Sequence, residues 1–352
     1  MDDILALFGA TGETIAYARK YMRIVLPGMF FTTMTFNLTG LIRASGYPTK
    51  SMLIMVSGAI LNIILDPVFI FGLHWGIAGA ALATTISMTF TAILSIAHFI
   101  HPKSFIRFRL HAWKPKGYIF KNITLIGLSP FSMNVCASFV VALLNNQLLR
   151  YGGDLAVGAY GIVNTFGSLM VMFFIGICQG MQPIAGYNYG AGHSGRLKEV
   201  YMLTIKVCVL IGILGSAISC LFPSTLVKIF TTDGDLIRIG TPALRYMMIM
   251  FPVIAFTIVN SNFFQSIDKP WIAIVTSLSR QLIFLLPTVY LIPVLYVNAG
   301  NNGLTGVWTS FPISDLLGAI LAAILLYSQR NIFRNTTPVE RKVRKESGPS
   351  ES

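Results

Sequence analysis

Seven stretches of this 352-residue chain contain no Asp, Glu, Lys or Arg, and each has about the length needed to cross a bilayer as a helix. They are residues 24–42, 67–102, 122–149, 155–195, 207–227, 246–267 and 281–314. The bilayer core has no water to hydrogen-bond the backbone, so apolar segments of this length fold there as helices. Only 11% of all residues are charged, against roughly 25% in soluble domains. The chain is therefore predicted to be an all-α, polytopic membrane protein.

Pro and Gly residues divide the longer uncharged stretches, and with these breaks the sequence predicts nine transmembrane helices. The predicted spans lie near 21–44, 50–73, 77–100, 120–149, 157–182, 202–223, 241–264, 271–296 and 304–328.

The formal net charge of +13 comes from Lys and Arg residues that mostly lie between the spans. If alternate loops face the same side, one set of loops carries 17 Lys and Arg and the other carries 7. Cytoplasmic loops hold the excess of basic residues in membrane proteins, so the C-terminus is predicted to be cytoplasmic. The positive charge is thus explained by the orientation of the chain in a lipid bilayer. The bilayer is the expected partner, and no nucleic-acid partner is expected.

The sequence has no pattern that indicates an enzyme. It lacks a Gly-rich phosphate loop followed by Lys and Ser or Thr, so ATP-driven transport is not expected. The four cysteines all fall within predicted spans without metal-ligand spacing, and the histidines do not cluster with carboxylates.

The chain repeats itself at an offset of 222 to 227 residues. Five pairs of residues and one pair of motifs carry the repeat: Phe8 with Phe230, Gly12 with Gly234, Pro27 with Pro252, Asn37 with Asn262, Pro48 with Pro270, and Gly76-x-x-Gly79 with Gly303-x-x-Gly306. The second copy has three further spans, over 120–223, in front of the shared three. A complete repeat would have twelve helices in two bundles of six, so the first three helices are expected to be absent, although an authentic nine-helix protein remains an alternative.

Three motifs, in this order and spacing, resemble the multidrug and toxic compound extrusion family, in particular its bacterial multidrug-exporter branch. They are Asn62-Ile-Ile-Leu-Asp66-Pro67, Gly76-x-x-Gly79-Ala80-Ala81, and Gly180-Met-Gln182-Pro183-Ile-Ala-Gly186-Tyr187-Asn188-Tyr189-Gly190-Ala191. The resemblance extends from residue 4 to about residue 330.

The resemblance implies a fold of two pseudosymmetric helical bundles. Residues 1–100 would form a partial N-lobe, equivalent to the family's fourth to sixth helices, 101–119 a basic cytoplasmic inter-lobe loop, 120–328 a C-lobe of six helices, and 329–352 a polar cytoplasmic tail. It also implies a monomeric secondary antiporter in a bacterial inner membrane that exports small organic, often cationic, compounds in exchange for Na⁺ or H⁺. No cofactor besides this coupling ion is expected.

The residues themselves favour one cation-coupling site. Asn62 and Asp66 lie four residues apart, so both project from one helix face and offer the hard oxygen ligands that suit Na⁺, or a site for a proton. The alternative is that Asp66 ends a helix at the membrane–water interface, where its carboxylate is exposed to water. The resemblance adds Thr84 to this site, together with an Asp on the family's first helix that would lie upstream of Met1. Tyr21 and Asn37 are candidates for the same polar network, and Thr39 is a rival to Asn37.

A second group of candidates falls in the second half of the chain. Asp315 lies near the middle of the last span, where a carboxylate is costly unless it is paired or exposed to water. It is therefore predicted to belong to an ion site or a substrate cavity. The alternative is a hydrogen-bonded packing residue. Further candidates for the cavity are Gln179, Gln182, Asn260 and Asn262, with a helix break expected at Pro183 and Gly186. Arg280 is expected to extend along its helix to the cytoplasmic surface.

Two rival functions remain at this point. A lipid-linked oligosaccharide flippase of the same superfamily would have a more basic cavity than these spans provide. The other rival is a truncated fragment that transports nothing.

Overall fold

The computed structural model describes residues 14–101, 104, 106 and 117–333. The chain divides into two compact units, Met1–Pro115 and Lys116–Ser352. All regular elements among the described residues are helical. The predicted boundaries of the inter-lobe loop and the tail stay predictions, because most of the loop and residues 334–352 lie outside the described part, as do Phe8 and Gly12 of the repeat.

The first unit contains three described helices. Helix α1 spans Thr14–Ala44, α2 spans Pro48–Pro67 and continues as a π-helical turn over Val68–Gly72, and α3 spans Gly76–Ile100. Helix α3 packs against both of the others. A small apolar core of Leu38, Ile42, Ile54 and Phe99 holds their ends together.

Two close contacts bring α3 against its neighbours. A Cβ added at Gly79 would lie 2.7 Å from the carbonyl oxygen of Phe69, so the backbones of α3 and the π-helical turn touch because Gly79 has no side chain. The hydroxyl of Thr85 lies 3.0 Å from the carbonyl oxygen of Ile24 in α1 and 2.9 Å from that of Ala81 in its own helix. Small residues that let backbones approach are the usual basis of helix packing in membranes.

The second unit begins with the long helix α4, Gly117–Gly190, and continues with nine further helical elements. They are α5 Ser194–Leu221, α6 Pro223–Lys228, α7 Gly234–Met248, α8 Phe251–Ser266, α9 Pro270–Leu278, a π-helical stretch Ser279–Leu285, α10 Leu286–Asn298, α11 Gly303–Ser328 and a 3₁₀ turn Arg330–Phe333. The side chain of Asp233 accepts hydrogen bonds from the first turn of α7, and that of Asn302 does the same for α11. Such caps satisfy N–H groups that have no partner within the helix.

Helix α4 is long enough for two crossings. Its 74 residues would measure roughly 110 Å if straight, several times the thickness of the hydrocarbon core. Gly153 divides it, with a φ of 65° and a ψ of −166° that favour glycine. By length and composition, seven helices of the described residues can span a membrane, or eight with the pair α7 and α8 counted as one bent span. If α4 is divided at Gly153 into two spans, the number rises from eight to the predicted nine transmembrane helices. The exact number stays a prediction.

A bend with a proline beside it separates α7 from α8. The two helices meet at an angle of 50°, and Pro252 stands in the first turn of α8. Proline is favoured there because its missing N–H would have no helical partner anyway. The corresponding Pro27 lies inside the continuous helix α1. The span predicted over 241–264 consists of parts of two helices with a bend between them.

The helix break expected at Pro183 and Gly186 was wrong, because α4 continues through both residues to Gly190. Proline removes one intrahelical hydrogen bond, yet transmembrane helices tolerate this loss where neighbouring groups compensate. The polar residues of this segment therefore project from an intact helix.

The core of the second unit lies where α4, α5, α8 and α11 meet, and includes the fully buried Phe174, Tyr201, Phe263 and Val307. The second glycine of the repeated Gly-x-x-Gly motif has the same role in both units. A Cβ added at Gly306 would lie 2.7 Å from Cα of Pro293, so α10 and α11 pack backbone to backbone.

Candidate functional site

The predicted pair Asn62 and Asp66 is placed together on α2. The amide Nδ2 of Asn62 donates to Oδ1 of Asp66 over 3.4 Å, and both side chains are half-buried. With the amide in this orientation its nitrogen faces the carboxylate, so a cation bound by both residues requires the amide to turn and present Oδ1. A proton on Asp66 requires no such change. The donor set fits either a hard cation or a proton.

Thr84 shares a cavity with Asn62. This cavity of about 290 Å³ lies among α1, α2 and α3, and is lined by Thr32, Thr35, Phe36, Met55, Gly58, Ala59, Asn62, Thr84, Ser87, Met88 and Thr91. The Thr84 hydroxyl donates to the carbonyl oxygen of Ala80 over 2.9 Å, which leaves its lone pairs available to a ligand. The hydroxyl groups of Ser87 and Thr91 in this lining were missed by sequence reasoning, since hydroxyl residues are common throughout the spans.

Tyr21 and Asn37 cannot both reach one ion. They are 16 residues apart on the continuous helix α1, a separation of roughly 24 Å along its axis. Asn37 is exposed and donates to the carbonyl oxygen of Thr33 in its own helix, whereas its rival Thr39 is buried and donates within α1. The part of the prediction that joined Tyr21 and Asn37 in one network was therefore wrong.

Asp315 is paired with Arg280 in the second unit. Nη1 of Arg280 donates to Oδ1 of Asp315 over 2.7 Å, and the two side chains are 28% and 4% exposed. The expectation that Arg280 extends to the cytoplasmic surface was wrong. Burial of Asp315 requires a partner charge, and the loss of hydration for two ions is tolerated only when they pair closely.

The local backbone positions Arg280 for this pair. It lies in the π-helical stretch Ser279–Leu285, and a Cβ added at Gly318 of α11 would lie 3.1 Å from both Cβ and Cγ of Arg280. The stem of the arginine therefore crosses α11 at a glycine, one turn from Asp315. Single π-helical turns within α-helices are frequent at functional sites.

Two adjoining cavities meet at Arg280. The larger, of about 490 Å³, is lined mainly by apolar groups, among them Tyr160, Met172, Met247, Phe251 and Phe311, and also by Asn164, Ser314, Asp315, Arg280 and Gln281. The smaller, of about 420 Å³, has apolar groups in its lining too, together with Arg280 and the amides and hydroxyls of Asn134, Ser261, Asn262, Gln265, Ser277 and Gln281. Tyr160, Asn164 and Gln281 carried no signal in the sequence that distinguished them from ordinary packing residues.

The remaining predicted cavity residues have separate environments. Gln182 donates from Nε2 to Oδ1 of Asn262 over 3.1 Å, which links α4 to α8 beside the smaller cavity, and Gln179 is half-buried one turn earlier. Asn260 is fully buried and accepts a hydrogen bond of 2.8 Å from the Tyr201 hydroxyl. The expectation that Asn260 faces a cavity was therefore wrong, because its amide is used to pack α8 against α5.

The family model described as MatE matches residues 1–68 and 130–291. The multidrug export protein MepA of Staphylococcus aureus (strain MSSA476) is 30% identical over 330 residues, which cover 94% of this chain and 71% of MepA. MepA of Staphylococcus haemolyticus (strain JCSC1435) is 29% identical over the same shares.

Solved structures share the fold. The MATE multidrug transporter DinF-BH has a TM-score of 0.83 and 39% identity, over 94% of this chain and 73% of that one. A MOP superfamily transporter from Pyrococcus furiosus Vc1 has a TM-score of 0.85 and 26% identity over the same shares.

Proposed function

This chain belongs to the MatE family, the multidrug and toxic compound extrusion transporters, and we propose that it exports small organic compounds across a membrane as a multidrug efflux antiporter. The relatives named multidrug export protein and the solved multidrug transporters support this function. The chain is a multi-pass membrane protein, with at least seven helices of the described residues long and apolar enough to span a bilayer.

The coupling site proposed here consists of Asn62, Asp66 and Thr84, occupied by Na⁺ or H⁺. The observation that carries it is the 3.4 Å contact between Asn62 and Asp66, which lie half-buried on one face of α2. A carboxylate within a span is costly and is usually retained for ion or proton binding. Thr84 supports the site because it lines the same cavity as Asn62.

Ion binding drives transport only if the ion prefers one conformation of the protein over another. In the proposed cycle, the coupling ion at Asp66 favours the conformation that releases substrate, and loss of the ion favours the conformation that accepts it. The bacterial relatives support a location in a bacterial inner membrane. The excess of basic residues in alternate loops supports a cytoplasmic C-terminus, and we take the transporter to be a monomer.

Export of ethidium from proteoliposomes of the purified chain tests both parts of the proposal. Ethidium is loaded inside, and an inward gradient of Na⁺ or of H⁺ is imposed from outside. We expect one of the two gradients to drive export, and Asp66→Asn to reduce the rate about tenfold or more, the effect of losing one charge-assisted contact. Asp235→Asn is the matched control, because Asp235 is an exposed carboxylate paired with Arg238 on the surface of α7.

Different results refute the proposed export function and the proposed coupling site. If the wild type exports no ethidium under either gradient, the proposed export of organic cations is refuted. If it exports and Asp66→Asn behaves like Asp235→Asn, the coupling site lies elsewhere.

A further inference from the structure

Of the two charged side chains that line the cavities of the second unit, the positive one is the more exposed. Of the pair that joins Arg280 to Asp315, the carboxylate is 4% exposed and the guanidinium side chain 28%. In the larger cavity Arg280 and Asp315 are the only charged residues among the described lining, and in the smaller cavity Arg280 is the only one. Arg280 is thus the charged group that both cavities share, and it is more exposed than its partner Asp315.

Arg280 keeps hydrogen-bonding capacity while it is paired. A guanidinium has five N–H donors in a planar fork, and the contact with Asp315 joins one nitrogen to one oxygen. The remaining donors match the geometry of a second carboxylate. Gln281, which follows Arg280 in the chain and lines both cavities, adds a neutral amide at the same junction.

The larger cavity suits the apolar part of such a ligand. Its described lining includes Met247, Met248, Phe251 and Phe311, and the buried Tyr160. Aromatic and methionine side chains provide an adaptable apolar surface, and a volume of about 490 Å³ falls in the range of small-molecule sites.

We propose that these cavities bind amphiphilic molecules that carry a carboxylate, with the carboxylate on Arg280 and the apolar body in the larger cavity. Asp315 is then the counter-ion with which the carboxylate of the ligand competes for Arg280. The inference rests on the proposed export function and adds to it a binding site for an acidic group, in addition to the contact with organic cations expected of Asp315 alone. Asp315 cannot attract a cation with its full charge, because Arg280 already neutralises it.

The test is the binding of a fluorescent acid and its uncharged ester to the purified full chain in detergent, with no ion gradient. Pyrenebutyrate is the acid and its methyl ester the neutral match, and both are titrated by fluorescence anisotropy. The double variant Arg280→Gln with Asp315→Asn removes both charges without leaving one buried alone. We expect it to bind the acid about tenfold or more weakly, and the ester as the wild type does.

The single variant Asp315→Asn distinguishes a ligand site from a structural ion pair. It frees the guanidinium from its counter-ion, so the acid should bind more tightly than to the wild type while the ester is unchanged. Arg238→Gln is the control, because Arg238 is a surface arginine in an exposed pair with Asp235. Unchanged ester binding also reports that each variant is folded.

Three results would overturn the inference. They are unchanged acid binding in the double variant, equal loss of acid and ester binding in it, and weaker acid binding in Asp315→Asn. Because binding in detergent needs no gradient, a failure of ethidium export leaves this readout intact, and the two proposals fail separately.

Discussion

Gly306→Ala should loosen the packing of α10 against α11. A Cβ at this position would lie 2.7 Å from Cα of Pro293, 3.0 Å from its nitrogen and 3.2 Å from the carbonyl oxygen of Ile292. All three are backbone atoms, which cannot turn away as a side chain can. Carbon atoms in ordinary contact are about 3.5–4.0 Å apart, so the two helices must separate by roughly 1 Å.

The expected cost follows from two opposing terms. Overpacking of this kind costs about 1–3 kcal/mol, and a contact with rigid backbone belongs at the upper end. Alanine recovers about 1 kcal/mol as a better helix former than glycine. The net loss of about 2 kcal/mol corresponds to a fall in melting temperature of roughly 4–8 °C for a unit of this size.

Thermal unfolding in detergent, followed by fluorescence-detected size exclusion, measures this effect. Gly176→Ala is the matched control, because Gly176 lies within α4 and a Cβ added there meets no atom within 4 Å. The control should melt at or slightly above the wild-type temperature. A Gly306→Ala protein that melts as high as the wild type would show that the backbones are not in contact and would refute the reasoning.

Two further predictions concern single contacts in each unit. Gly79→Ala should destabilise the first unit by a similar amount, since its Cβ would meet the Phe69 carbonyl. Peptides from residues 48–100 should then exchange their amide hydrogens faster than in the wild type. Unchanged exchange would count against the contact. Tyr201→Phe should cost about 1–3 kcal/mol, because it leaves the buried amide oxygen of Asn260 without its donor. Its melting temperature is compared with that of Tyr187→Phe, a change at an exposed tyrosine, and equal temperatures would contradict the prediction.

Local chemistry in the sequence was sufficient for the fold class and for one candidate site. Apolar runs free of charge identify the spans because the bilayer excludes charge along the whole length of a helix. The spacing of Asn62 and Asp66 places them on one face of any helix that contains both. Gly79 and Gly306 were recognised as a repeat, and small residues at such positions imply close packing.

The partners of buried polar groups depended on the tertiary structure. Asp315 was recognisable as a residue that needs a partner, and Arg280 lies at a comparable depth in the preceding span, yet their contact requires the π-helical stretch and the space at Gly318. The bond between Gln182 and Asn262 likewise joins residues 80 positions apart.

The physical reason is that a membrane helix can be apolar on every side. In a soluble helix the apolar face identifies the inward direction, whereas lipid and protein interior are equally apolar for most of these residues. Rotation of each helix about its axis is therefore hardly encoded in its own sequence. The sequence by itself determined where the chain crosses the membrane and which groups are costly there, and only the packing of the helices decided which of those groups meet.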